Sequence, residues 1–96
     1  MEKTKEITKL ANMFSVLGDP TRLGIVLYLM DKKTSVTDIV NNLGLTQSAV
    51  SHQLRILKDA HVLKSEKVGK MVFYSINDEH VKVIVETGRV HMEHKE

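Results

Sequence analysis

Ser35-Val36-Thr37-Asp38-Ile39-Val40-Asn41-Asn42-Leu43-Gly44 runs into Leu45-Thr46-Gln47-Ser48-Ala49-Val50-Ser51-His52-Gln53-Leu54-Arg55-Ile56-Leu57. Ser35 stands where a helix N-cap belongs, and Asp38 follows three residues on as a variant of the capping box. Val36, Ile39, Val40 and Leu43 recur at helical spacing until Gly44 breaks the pattern. Thr46 then caps a second helix, expected from Gln47 to about Ala60. Val50, Leu54 and Leu57 form its apolar side. Ser48, Ser51, His52 and Arg55 fall on the opposite side, at i, i+3, i+4 and i+7. Two short helices joined by a tight glycine-containing turn make a helix-turn-helix.

The flanks extend this reading. Val62 to Val68 and Met71 to Ile76 read as two strands, with Gly69-Lys70 suited to a two-residue hairpin turn with glycine first. Val72, Tyr74 and Ile76 share one face, and Lys64, Lys67 and Lys70 lie on the ribbon and its tip. A hairpin directly after a reading helix is a wing. Upstream, Ile7, Leu10, Ala11, Phe14 and Leu17 have helical spacing over Lys3 to Leu17, and Gly18 ends that helix. Asp19 and Pro20 supply an N-cap and first position for another, whose body from Leu23 to Met30 is apolar nearly all round. Asp31 to Thr34 reads as a loop. Asn77 or Asp78 caps a last helix. The expected order is α-α-α-α-β-β-α, a mainly α winged helix-turn-helix. Residues 1–96 form one domain with dimerising helices at both ends.

Composition narrows the function classes. The chain has no cysteine, which excludes disulfides, thiolate metal sites and a cysteine nucleophile. Any metal must be held by nitrogen and oxygen. The net charge of +2 suits nucleic acid only where the cations cluster. No apolar run is long enough to cross a bilayer. The N-terminal residues lead straight into an amphipathic pattern, so the expected location is the cytoplasm, with no membrane partner.

The polar face of the second helix in the quoted stretch suits a DNA groove. Gln47 can contact adenine in bidentate fashion, Ser48 and Ser51 can bond to bases or phosphates, and Arg55 can reach guanine or phosphate. His52 has the reach for a phosphate. Lys67 and Lys70 on the wing suit sequence-independent phosphate contacts.

Three of the five histidines lie in the last stretch, which carries Asp78-x-His80 and His91-x-x-His94. Both residue types ligate Zn²⁺ and its neighbours. On a helix, however, His80 and His91 are separated by roughly 16 Å, while an ion holds its ligands at about 2 Å. Either the pattern is chance or a second copy supplies the other half. Positions 80, 84, 87, 91 and 94 step by four, three, four and three, a seam along one helix face. Pairing two such helices antiparallel about Thr87, with Gly88 beside the centre permitting close approach, brings Asp78 and His80 of one chain to His91 and His94 of the other. Four N/O ligands favour tetrahedral Zn(II) or Co(II).

Several segments together resemble the ArsR/SmtB family of metal-responsive repressors. They are Phe14-x-x-Leu17-Gly18-Asp19-x-Thr21-Arg22, Leu45-Thr46-Gln47-Ser48-Ala49-Val50-Ser51-His52-Gln53-Leu54, and Gly69-Lys70-x-Val72-x-Tyr74-Ser75. The resemblance covers essentially the whole chain. It implies a homodimer that represses a double-stranded operator and releases it when metal binds, with Gln47, Ser48, Ser51 and His52 toward DNA. The cysteine-based site that some members carry on the third helix is missing here. Asp78-x-His80 with His91-x-x-His94 is similar to the C-terminal-helix site of the zinc- and cobalt-responsive members of the CzrA type, which implies control of metal efflux. Two other readings stand beside it: a winged-helix repressor answering a different ligand, and an interaction module that never touches DNA. Catalysis is disfavoured, because no carboxylate sits with the histidines as in a His-Glu-x-x-His arrangement.

Overall fold

The computed structural model describes residues 2–95; Met1 and Glu96 lie outside them. Its elements run α1 (Glu2–Leu17), α2 (Pro20–Tyr28), β1 (Thr34–Ser35), α3 (Val36–Leu43), α4 (Gln47–Asp59), β2 (Leu63–Val68), β3 (Met71–Ile76) and α5 (Glu79–Glu93). This is the winged helix-turn-helix expected from the sequence, with one added strand.

Four of the five helices open on a side-chain cap. Asp19, Ser35, Thr46 and Asp78 each accept a hydrogen bond from the backbone N–H three residues on, satisfying one donor the helix cannot. Pro20 occupies the first turn of α2, where its missing N–H costs nothing. Gly44 closes α3 in the left-handed region, with φ 67°.

The added strand corrects the reading of Asp31 to Thr34 as a loop throughout. Thr34 pairs with Tyr74 and Ser35 with Phe73, which makes a three-stranded antiparallel sheet in the order β1-β3-β2. Ser35 therefore belongs to the sheet and caps α3 at once. The helix-turn-helix and the wing are joined at that residue. Asp38 does not complete the capping box, because its carboxylate accepts instead from the Thr34 hydroxyl at 3.2 Å.

The core lies where α2, α3, α4 and the sheet converge. Ile25, Val26, Leu29, Ile39, Val50, Leu54, Leu57 and Val62 are buried in it. Full burial of such a side chain contributes about 1.5–3 kcal/mol. Val81 and Val85 dock α5 onto this body. The first helix joins at its C-terminal end, through buried Val16 and Leu17 with half-buried Met13 beside them. Its earlier apolar positions, Ile7, Leu10 and Phe14, face solvent, as does Leu27 of α2. The second helix is thus buried on most sides but not all.

Candidate DNA-reading face and C-terminal ligand face

Thr46 and the turn at Gly44 set the start of α4, and the buried row Val50, Leu54, Leu57 fixes its rotation. That leaves Gln47, Ser48, His52 and Arg55 exposed on the outer side, while Ser51 is half-buried. Arg55 takes part in none of the ion pairs among the described residues, so its guanidinium is free for an anion. Gln53, on the inner flank, accepts from the Arg22 Nη1 at 3.1 Å. Arg22 also donates through Nε to the Val16 carbonyl at 2.8 Å. One guanidinium thus ties the end of α1 and the start of α2 to the reading helix. In the sequence Arg22 stands out only as part of a motif, since a contact across 31 positions leaves no periodic trace.

Helix α4 ends without a glycine. The Val62 N–H bonds to the Leu57 carbonyl and the His61 N–H to the Lys58 carbonyl, each at 3.0 Å. This is the Schellman arrangement, with His61 in the left-handed position at φ 63°. The same turn delivers the chain into β2. In the wing, Val68 pairs with Met71 across Gly69-Lys70. Gly69 has φ 63° while Lys70 does not share the positive φ, which fits a hairpin turn with glycine first. Lys64, Lys67 and Lys70 are exposed along the ribbon. An exposed ion pair joins Lys33 to Glu66 beside the sheet. Lys33, through that hydrogen bond and its charge, holds the Glu66 carboxyl below its usual range.

At the other end of the molecule, Asp78 is the N-cap of α5. Its Oδ1 accepts from the Val81 N–H at 3.3 Å and lies 3.4 Å from the His80 Nδ1. Asp78 and His80 are therefore neighbours in space, and the capping bond uses only one carboxylate oxygen. The His80 side chain is 91 % exposed. His91 and His94 stand at the far end of the helix, also exposed. Within one chain the described residues form no cluster of three or more His, Asp or Glu around a common point. The two ligand pairs occupy opposite ends of one helix, as the rise per residue requires.

The expected seam needs one adjustment. Ile84 is half-buried and lines an apolar groove of about 550 Å³ with Phe14, Leu17, Leu23, Leu27 and Val85. Gly88 faces this groove too, and a methyl group on it would meet nothing within 4 Å. The outward face is instead flanked by Val83 and Val90, which are 58 % and 41 % exposed. The series 83, 87, 90, 94 steps by four, three and four, as legibly as the series first chosen. What separates them is the docking of Val81 and Val85, which sets the rotation of α5.

A helix-turn-helix with an exposed polar fourth helix and a lysine-bearing hairpin is the architecture of a winged helix-turn-helix domain. Residues 19–65 match the model of the bacterial regulatory proteins of the arsR family. The transcriptional regulator NmtR of Mycobacterium tuberculosis is 35 % identical over 86 residues, covering 90 % of this chain and 72 % of its own. The apo-NmtR solution structure superposes with a TM-score of 0.81 at 33 % identity, covering 95 % and 76 %. A cadmium resistance regulatory protein homologue, CadC, of Staphylococcus aureus is 39 % identical, covering 84 % and 68 %. The homodimeric winged-helix domain of Mb0332 from Mycobacterium bovis shares the fold, with a TM-score of 0.91 at 22 % identity over 95 % and 84 %. This chain belongs to the ArsR family of helix-turn-helix transcriptional regulators.

Proposed function

We propose that this protein is a metal-sensing repressor: a cytoplasmic homodimer that holds operator DNA when metal-free and releases it when Zn(II) or Co(II) binds. The observation that carries this reading is the outward face of α5. It presents Asp78 with His80 at one end, His91 and His94 at the other, and unpartnered Val83 and Val90 between. A second copy of the same helix, antiparallel and two-fold related, would cover the valines and complete both ligand sets. Asp78 and His80 of one protomer and His91 and His94 of the other would hold each ion. Three imidazoles and a carboxylate fit a closed tetrahedral site, and the chain has no thiolate to favour softer ions. Bound there, a metal would supply a cross-link between protomers. Gln47, Ser48, Ser51, His52 and Arg55 would then face the major groove, with Lys67 and Lys70 on flanking phosphates.

Release follows from linkage. A dimer whose α5 pair is fixed by the ligands holds its reading helices at a spacing less suited to successive grooves, about 34 Å apart. By reciprocity operator DNA must weaken metal binding by the same factor. The test is an operator-binding titration of the purified protein with Zn²⁺, Co²⁺, Ni²⁺ and a chelator. Metal should lower the affinity of the wild type. His80→Ala and His91→Ala should bind operator normally and ignore zinc. Equal metal affinity with and without operator would sink the switch.

A further inference from the structure

Between the helix-turn-helix and the wing lies a polar cleft of about 330 Å³, lined by Thr37 of α3, Gln47 and Ser51 of α4, and Lys70, Val72 and Tyr74 of the wing among others. Resting on the DNA-binding reading above, we infer that this cleft seats one phosphodiester of the operator backbone, with the Tyr74 and Thr37 hydroxyls as ligands in addition to Lys70. Three observations carry this. First, none of the residues lining the cleft is acidic, and Lys70 gives it a positive charge. Secondly, the Tyr74 ring packs against the core, yet its residue also lines the cleft. Its hydroxyl takes part in none of the side-chain hydrogen bonds among the described residues. A tyrosine so placed offers a rigid donor at the end of a fixed ring. Thirdly, the cleft separates the helix assigned to the major groove from the hairpin tip assigned to the flanking backbone. The DNA strand bordering the groove must pass between these two elements.

The sheet makes the seat rigid. Tyr74 pairs with Thr34 on one side and with Ser65 on the other, so β3 is the central strand. Thr37 stands in the first turn of α3, two residues after Ser35, which both ends β1 and caps the helix. Ordering costs on binding are therefore small for these two hydroxyls, unlike those for the long lysines.

The experiment uses the full-length protein and a duplex that the wild type selects from a random-sequence pool, with a scrambled duplex beside it. Affinity is measured against salt for Tyr74→Phe, Thr37→Val and Lys70→Gln, together with phosphate ethylation interference. Tyr74→Phe should weaken both duplexes roughly tenfold, as loss of a hydrogen bond to a charged group does. Its salt slope should stay that of the wild type. Lys70→Gln should lower the slope by about 0.9 per cleft. In both variants interference should fade at one phosphate per half-site. Thr37→Val, at an exposed position, gives the same readout without touching the core. Affinity within twofold of wild type for both hydroxyl variants, with an unchanged interference pattern, overturns the assignment. A wild type that selects no duplex overturns the DNA-binding reading itself, and the cleft assignment with it.

Discussion

From Thr34 to Ile76 the large apolar side chains are inside: Ile39, Val50, Leu54, Leu57, Val62 and Leu63 are all buried. The exceptions are Leu45 in the turn and Val68 with Met71 at the wing tip. On α1 and α5 the proportions reverse. Ile7, Leu10, Phe14, Val83, Val90 and Met92 all face solvent. The two regions use the same residue types with equally clear periodicity, so propensity does not distinguish them. The reading half closes on itself through caps, a three-stranded sheet and a filled core. The flank of α1 and α5 presents an apolar face left uncovered among the described residues. Contiguous exposed apolar surface of this kind marks an interface. A pattern of apolar residues therefore says that a helix will be covered, not by which molecule.

The largest effect should come from breaking the flank while leaving the reading half alone. Val83→Glu with Val90→Glu puts two charges where a second helix would pack. Sedimentation should then report a monomer, with far-ultraviolet circular dichroism unchanged. Operator affinity should fall by roughly 10²–10⁴-fold, because two linked half-sites become two separate ones. If the doubly charged variant remains a dimer with full affinity, α5 is not the seam, and the proposed inter-subunit ligand set loses its geometry.

Most of the reading half was legible because its determinants are local. Ser35 and Thr46 are caps visible in the sequence, as is Asp19 just upstream, and Gly44 and Gly69 stand at the two positive-φ positions glycine serves; the last cap was open between Asn77 and Asp78, and it is Asp78. Strand β1 was not legible, because two residues carry no period and their pairing with Tyr74 and Phe73 is tertiary. The Asp78/His80 and His91/His94 pairs on α5 were visible as spacing. The rotation of the helix was not, since it depends on where Val81 and Val85 dock. His61 is a partial case. Its place between α4 and the wing suits a capping or packing residue, and it does stand in the turn that closes α4, but its positive φ was not legible because glycine is usual there.

That residue offers a finer test of the claim that the reading half closes by itself. The Schellman bonds at the end of α4 are all backbone, and the Leu57 and Val62 side chains that accompany them are fully buried. The exposed His61 ring should therefore be dispensable to the fold. His61→Gly removes the left-handed penalty of an L residue but adds freedom to the unfolded chain. The balance should leave stability unchanged or raise it by up to about 1 kcal/mol in urea unfolding. His61→Val, β-branched at positive φ, should lower it by more than that. A loss of over about 1 kcal/mol in the glycine variant would mean that the ring itself holds the turn, and that α4 is not terminated by backbone alone.

The smallest effect belongs to the Lys33–Glu66 pair, which looks like a brace between β1 and the wing. Its sign is fixed by the carboxyl. Lys33 holds Glu66 below its ordinary range in the folded protein. The contribution is therefore present above the unfolded carboxylate pKa and is lost as pH falls through the lower folded value. Its size is limited by solvent, because both side chains are exposed and salt screens them. Glu66→Gln should leave the neutral-pH unfolding midpoint almost unmoved in physiological salt. A small difference should emerge at low ionic strength and vanish again as the pH falls through the lowered folded-state value. The sheet register, Thr34 with Tyr74 and Glu66 with Phe73, already sets where β1 and β2 stand relative to each other. If Glu66→Gln instead destabilised the protein as much as a core truncation, the wing would depend on a surface charge for its position. The contrast between a self-closed reading half and an open flank would then have to be redrawn at β1.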